Sequence, residues 1–288
     1  MSSPTILLDV PIRFDVGDTV THAPTIDALL AGRPTRLILD TGSTDHVLTI
    51  ELVRAAGLPA EPGEPGTDHA GSSVASWFVG DVSAVIDGVG FGLHDAVAIT
   101  GPAPFAGWGV GGFLSPQHLR PDACAVIDLI ADRLILLTGD DDAIDGWLRE
   151  RSPDLALLEL PRDPAEATPV ISAAIEPFAP VATMLNTGGR GTEFAMAAVP
   201  GLTGTPSDDL GKGVGGAPVV GVVVEDQTLR VGVARFPVPR LLVRPAIDTM
   251  LGLVGMDVLR GTVLVVSAAR ARPVDWLVPS DRVSAERL

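Results

Sequence analysis

Apolar and polar residues alternate at Ile6, Leu8, Val10 and Ile12, and this period of two predicts a strand over residues 4–15 with one buried face. A second strand is expected from His22 to Leu30, and Ala31-Gly32-Arg33-Pro34 reads as a turn. The apolar run Leu37-Ile38-Leu39 then leads straight into Asp40-Thr41-Gly42-Ser43. From Thr49 to Leu58 the period becomes helical, with Thr49 as the N-cap and Gly57 at the end. Residues 59–72 form a Pro/Gly-rich loop. Beyond it, Val74 to Val85 and Gly92 to Ile99 read as strands with an Asp87-Gly88 turn between them. Gly107 to Leu114, a helical turn from Pro116 to Leu119 and an apolar run from Ala123 to Leu136 complete this stretch.

The pattern changes over residues 138–168. Gly139-Asp140-Asp141-Asp142, an amphipathic piece around Ile144, Trp147 and Leu148, and a segment from Pro161 to Pro169 read as a connection. The acidic triplet lacks the alternating oxygen ligands and distal Glu of a calcium loop, so a solvated helix start is expected there.

The second half then repeats the first. Val181-Ala182-Thr183-Met184-Leu185-Asn186-Thr187-Gly188-Gly189 aligns with the Asp40 loop 146 positions later. Glu193 to Leu202 stands where the Ile50 to Leu58 helix stood, and Val219–Val224 with Thr228–Val233 reads as a second hairpin. Leu251-Gly252-Leu253-Val254-Gly255-Met256-Asp257-Val258-Leu259-Arg260 follows, and Gly261 to Ser267 reads as a closing strand. A repeat of this length implies two structural units built alike.

An apolar strand running into Asp-Thr-Gly-Ser, its recurrence as Asn-Thr-Gly-Gly and the Leu251–Arg260 segment together resemble the aspartic peptidases of the pepsin and retropepsin superfamily, over roughly residues 5–275. The resemblance implies a mainly β, bilobal, pepsin-like acid-protease fold of two retropepsin-like β-barrel lobes. These would span residues 1–137 and 169–275, with an interlobe connection over 138–168 and a C-terminal tail over 276–288. It implies that Asp40 and Asn186 hold the catalytic positions, while Thr41, Gly42, Ser43, Thr187 and Gly188 lock the two loops through crossed hydroxyl bonds. The hairpin after Val74 would be the flap, Trp77 and Trp108 would face the interlobe cleft, and a peptide or protein would lie in that cleft. Without the resemblance, both tryptophans read as core residues.

Peptide hydrolysis by this chemistry needs two carboxylates close enough to share one proton. The ionised member takes a proton from water while the protonated member polarises the scissile carbonyl. Asn186 puts an amide where the second carboxylate belongs, so the chain is expected to keep the binding site and lose or impair cleavage. Three readings follow: a peptidase whose second Asp has been replaced, a natural pseudo-protease that binds extended peptides or a protein partner, and a scaffold that uses another surface. With no tyrosine in the chain, the flap tyrosine typical of pepsins is also absent.

Composition narrows the alternatives. The 288 residues are 46% hydrophobic and 19% charged, which suits a globular protein with a substantial core. A net charge of −16 argues against nucleic acid, and Lys212 is the single lysine. Cys124 stands alone, and His22, His46, His69, His94 and His118 lack metal-ligand spacing, so neither a metal nor any other cofactor is expected. Gly107-x-Gly109-x-x-Gly112 and Gly211-x-Gly213-x-x-Gly216 spell a dinucleotide fingerprint without the strand-to-helix setting it needs. Ser72 and Ser73 lack a nucleophile elbow. No apolar run is long enough for a membrane span, and Asp9 breaks the N-terminal one, so a cytoplasmic monomer without a signal peptide is expected.

Overall fold

The computed structural model describes every residue except 1–2, 17–18, 69, 164, 208–212, 246–249, 270–271 and 284–288. Strand accounts for 52% and helix for 12%, so the chain is mainly β. Nine principal strands lie in the first half: Thr5–Pro11 (β1), Thr19–Leu30 (β2), Arg33–Leu39 (β3), Val47–Thr49 (β4), Ser76–Ile86 (β5), Val89–Ile99 (β6), Val110–Leu114 (β7), Cys124–Asp128 (β8) and Arg133–Thr138 (β9). Nine more lie in the second: Leu155–Leu160 (β10), Val170–Ile175 (β11), Val181–Leu185 (β12), Glu193–Ala195 (β13), Gly221–Val231 (β14), Ala234–Arg244 (β15), Gly252–Val254 (β16), Val263–Ser267 (β17) and Val274–Pro279 (β18).

The same pairings occur in both halves. In the first, β2-β3-β7-β4-β6-β5 is the order, and β5 returns to pair with β2, closing a ring. In the second, β11-β12-β16-β13-β15-β14 is the order, and β14 returns to β11. The parallel pairs also match: β3 with β7 and β4 with β6, against β12 with β16 and β13 with β15. Closure leaves each ring without a free edge. A third sheet, β1-β9-β8-β17-β18-β10, takes three strands from each half and joins them where Val126 of β8 faces Val265 of β17.

Local chemistry explains most of these elements. The β5–β6 hairpin turns at Asp87 and Gly88, with φ of +47° and +79°, which suits an Asp-Gly pair in a two-residue hairpin. Helix α1 (Ile50–Ala55) is capped by the Thr49 hydroxyl, which accepts the Leu52 N–H at 3.3 Å. The expected helix at the matching place in the second half does not form. Ala195 stands where Thr49 stood and has no oxygen to cap with, and residues 196–201 make turns instead, with Pro200 among them.

Two boundaries also differ from expectation. Residues 138–168 are more than a connection: a short helix α2 (Ala103–Trp108) lies before them, and they themselves hold α3 (Asp141–Arg151) and all of β10. Asp140 caps α3 by accepting the Ala143 N–H at 2.7 Å, so the acidic triplet does start a helix. Its Ile144 and Leu148 pack on Cys124, Val126 and Ile135 of the six-stranded sheet. The expected tail from residue 276 begins inside β18, where Trp276 is fully buried, stacks on Phe236 at 4.7 Å and donates to the Thr262 hydroxyl at 2.8 Å. Among the described residues no helix is long and apolar enough to cross a membrane.

Candidate functional site

Each half sends one loop out of its ring at the end of a fully buried strand. Leu39 ends β3, and the next N–H, from Asp40, donates to the Leu114 carbonyl of the parallel neighbour β7 at 2.9 Å. Leu185 ends β12, and the Asn186 N–H donates to the Val254 carbonyl of β16 at 2.9 Å. The two loops are therefore hung from matching points of their rings.

Two threonines then lock the loops to each other. The Thr41 hydroxyl donates to the Leu185 carbonyl at 2.6 Å and accepts the Thr187 N–H at 3.1 Å. In return, the Thr187 hydroxyl donates to the Leu39 carbonyl at 2.7 Å and accepts the Thr41 N–H at 3.1 Å. Both side chains are completely buried, so these four bonds are made out of reach of water.

The glycines let the two polar side chains approach. A Cβ placed on Gly42 would lie 2.7 Å from Asn186 Cγ, and one placed on Gly188 would lie 2.6 Å from Asp40 Cγ. Each side chain thus packs on the glycine of the opposite loop, and any larger residue there would push it aside. Asp40 Oδ1 accepts the Gly42 N–H at 2.9 Å. Asn186 Oδ1 accepts the N–H groups of Gly188 and Gly189 at 2.8 and 3.0 Å. Two donors fix that end of the amide as oxygen, and the amide lies against Gly42 with Nδ2 at 2.7 Å and Oδ1 at 3.0 Å from a Cβ placed there.

The two loops are braced by different groups at matching positions. On the first side, His46 Nδ1 accepts the Ser115 N–H at 3.3 Å. Gln117 donates to the carbonyls of Thr41 and Ser43, both at 3.2 Å, and the Ser115 hydroxyl donates to the Ser43 carbonyl at 2.9 Å. Ser43 therefore serves through its carbonyl, while its own hydroxyl donates to the Asp45 carbonyl at 2.7 Å. On the second side, Thr192 replaces His46, its hydroxyl accepting from Gly255 N–H at 3.4 Å, and Asp257 replaces Gln117. The Asp257 carboxylate accepts from the N–H and hydroxyl of Thr192 at 3.0 and 2.8 Å. Burial lowers the His46 pKa to about 4, so the imidazole is neutral, with its proton on Nε2 because Nδ1 is an acceptor. Burial raises the Asp257 carboxyl, with its hydrogen bonds to Thr192 pulling the other way.

His22 is a neighbour of the second loop that no motif announces. The residue is exposed at its surface, and partial desolvation, followed by the Arg190 guanidinium, lowers its pKa, while the nearby Gly188 backbone pulls it the other way. The two tryptophans belong to the first half. Trp77 sits on β5 opposite Ala98 and packs on the main core. Trp108 packs on Phe105 and lines an open groove with Arg36 and the Asp87-Gly88 turn, whose walls include neither Asp40 nor Asn186.

The glycine patterns have structural roles. Gly109, at φ +66°, ends α2, and Gly112 approaches the Val47 carbonyl so closely that a Cβ would lie 2.1 Å from it. Gly211 of the second pattern, Lys212 and His69 lie outside the described residues. Among the described residues, no three His, Cys, Asp or Glu side chains gather to hold a metal. In comparisons with known proteins, no protein-family model and no curated protein matches the chain.

Proposed function

We propose that this chain is an aspartic-peptidase-like protein that takes an extended peptide into a cleft between two lobes, over the Asp40 and Asn186 loops, and that Asn186 disables cleavage. The observation that carries the reading is the reciprocal Thr41–Thr187 locking, which sets Asp40 and Asn186 each against the other loop's glycine. That arrangement resembles what two proton-sharing carboxylates require.

The chemistry follows from what each side chain can do. Asp40 can accept a proton from water. The Asn186 amide has an NH₂ that donates and an oxygen already occupied by two backbone N–H groups, so it can neither hold the shared proton nor release it. It can still donate to a substrate carbonyl or to the Asp40 carboxylate. A bound peptide would therefore be oriented but not attacked by an activated water, which is how a pseudo-protease or a substrate-trapping site behaves.

The direct test is capture of a degenerate peptide library on the immobilised chain, read by mass spectrometry. Retention of uncut peptides, lost when Gly42→Leu displaces the Asn186 side chain, is the expected result. No retention by the parent chain at any pH would overturn the binding reading.

A further inference from the structure

Asn186 is the single asparagine among the 288 residues, and its side chain is the one set against the Asp40 loop. The amide oxygen, Oδ1, accepts two backbone N–H groups, Gly188 at 2.8 Å and Gly189 at 3.0 Å. Two main-chain donors on one carbonyl oxygen, at those lengths, are what holds a developing oxyanion. The same two bonds that orient the amide therefore polarise it and leave its Cγ more open to attack by an oxygen nucleophile.

A base lies beside it. A Cβ on Gly188 would sit 2.8 Å from either carboxylate oxygen of Asp40, so that carboxylate rests on the residue whose N–H holds the Asn186 oxygen. The contact is returned, since the amide rests on Gly42, whose N–H holds Asp40 Oδ1 at 2.9 Å. Both side chains are half-buried, so water has access to them.

The backbone route by which an asparagine loses its amide is closed. That route needs the next main-chain nitrogen to attack Cγ and form a ring. Here the nitrogen belongs to Thr187, whose N–H donates to the Thr41 hydroxyl at 3.1 Å and whose side chain is completely buried. Turning it toward Asn186 Cγ would break the lock between the loops.

We propose that the folded chain hydrolyses its own Asn186 amide, with Asp40 as the base, and so leaves an aspartate at position 186. Asp40 takes a proton from water as the water oxygen bonds to Asn186 Cγ. The C=O electron pair moves onto Oδ1, where the Gly188 and Gly189 N–H groups hold it. The pair then returns, the Cγ–Nδ2 bond breaks, and Nδ2 leaves as ammonia with the proton that Asp40 had taken. One water is consumed, one ammonia is released, and the two carboxyl groups that result share one proton. Asp40 must serve as base and then as acid, and an amide nitrogen leaves reluctantly. Conversion is therefore slow beside a peptide assay, and the fresh chain cuts nothing. This step rests on the Asp40–Asn186 pairing of the reading above and not on peptide binding.

The test needs no peptide substrate. Only Gln117 and Gln227 carry another side-chain amide, so the mass gain of an amide-to-acid exchange is readily placed. The parent is incubated folded and, in parallel, unfolded in guanidinium chloride. The peptide that holds position 186 is then read by mass spectrometry, together with an isoaspartate assay. The folded parent should convert on the order of tenfold faster than the unfolded one, although its fold closes the backbone route. Aspartate should be the sole product, and Asp40→Ala should abolish the gain. Conversion no faster in the folded parent, isoaspartate at position 186, or undiminished conversion in a folded Asp40→Ala chain would overturn the proposal. Should Asp40→Ala not fold, the two readouts on the parent decide alone. Conversion by a chain that retains no library peptide leaves self-hydrolysis standing and removes the peptide reading. Retention by a chain that never converts does the reverse.

Discussion

The two rings share a strand order but fill one matching pair of positions in opposite ways, half-buried and apolar in the first, buried and charged in the second. In the first, β4 runs beside β6 and the matching positions carry Val47 and Ile99. In the second, β13 runs beside β15 and the same positions carry Glu193 and Arg244, an ion pair at 3.0 Å with side chains only 9% and 6% exposed. The loops follow the same rule. His46 and Gln117 brace the Asp40 loop with neutral groups, while Thr192 and Asp257 brace the Asn186 loop with a carboxylate. Strand order depends on backbone bonds that almost any sequence can make, so it survives while side-chain chemistry diverges. A buried charge pair also loses its hydration, so the second ring gains little from having one and loses much if it is broken.

That contrast predicts a graded set of effects. Glu193→Val alone should cost about 3–5 kcal/mol in denaturant unfolding, because the buried Arg244 keeps its charge and loses the Glu193 carboxylate. Thr41→Val keeps the volume and deletes a hydroxyl that both donates and accepts, leaving the Leu185 carbonyl and the Thr187 N–H short of a partner. It should cost about 3 kcal/mol. Thr187→Val should cost the same, and the pair less than the sum, since the two residues share their bonds.

The His46 brace predicts a pH effect. The imidazole is held neutral in the folded chain, with its pKa at about 4 against an ordinary 6.5. As pH falls below 6.5 the unfolded chain gains a proton that the folded one refuses. Stability should therefore drop by about 2–3 kcal/mol between those values and level off below them. Asp275, pushed up to about 6 by burial despite Arg272, works in the opposite direction over nearly the same range. The slope is best read as the difference between the parent and His46→Thr, which copies Thr192. The smallest effect should come from the double change Glu193→Val with Arg244→Ile, which installs the first ring's solution in the second. Its midpoint should stay within about 1–2 kcal/mol of the parent or rise.

Where the sequence was legible, the signal was local. The Asp40 loop announces itself because strand, turn and hydroxyl are contiguous, and its second copy announces the repeat. The strands at the far edge of the third sheet were not legible. Leu155–Leu160 pairs with Val274–Pro279 more than a hundred residues away, and nothing near either segment signals a partner. The missing helix after Glu193 turned on one residue, Ala195 in place of Thr49, whose consequence shows only once the two halves are aligned. His22 went unread as a neighbour of the Asn186 loop because only the fold brings it beside Gly188 and Arg190, and that proximity leaves no mark in a sequence. The crossed threonine bonds are the reverse case. Their residue types were visible, and the structure supplies the four distances.

On the proposed reading, a single amide separates this chain from peptide hydrolysis. Asn186→Asp exchanges an NH₂ for an oxygen at constant volume and faces Asp40 with a second carboxylate, so the pair must hold a proton between them. The measurement is cleavage of a degenerate peptide library across pH by the parent, by Asn186→Asp and by Asn186→Asp with Asp40→Asn. The account predicts no products from the parent, products from Asn186→Asp that peak on the acidic side of neutrality, and their loss when Asp40 is also replaced. A folded Asn186→Asp chain that cuts nothing at any pH would contradict it, as would activity that survives Asp40→Asn.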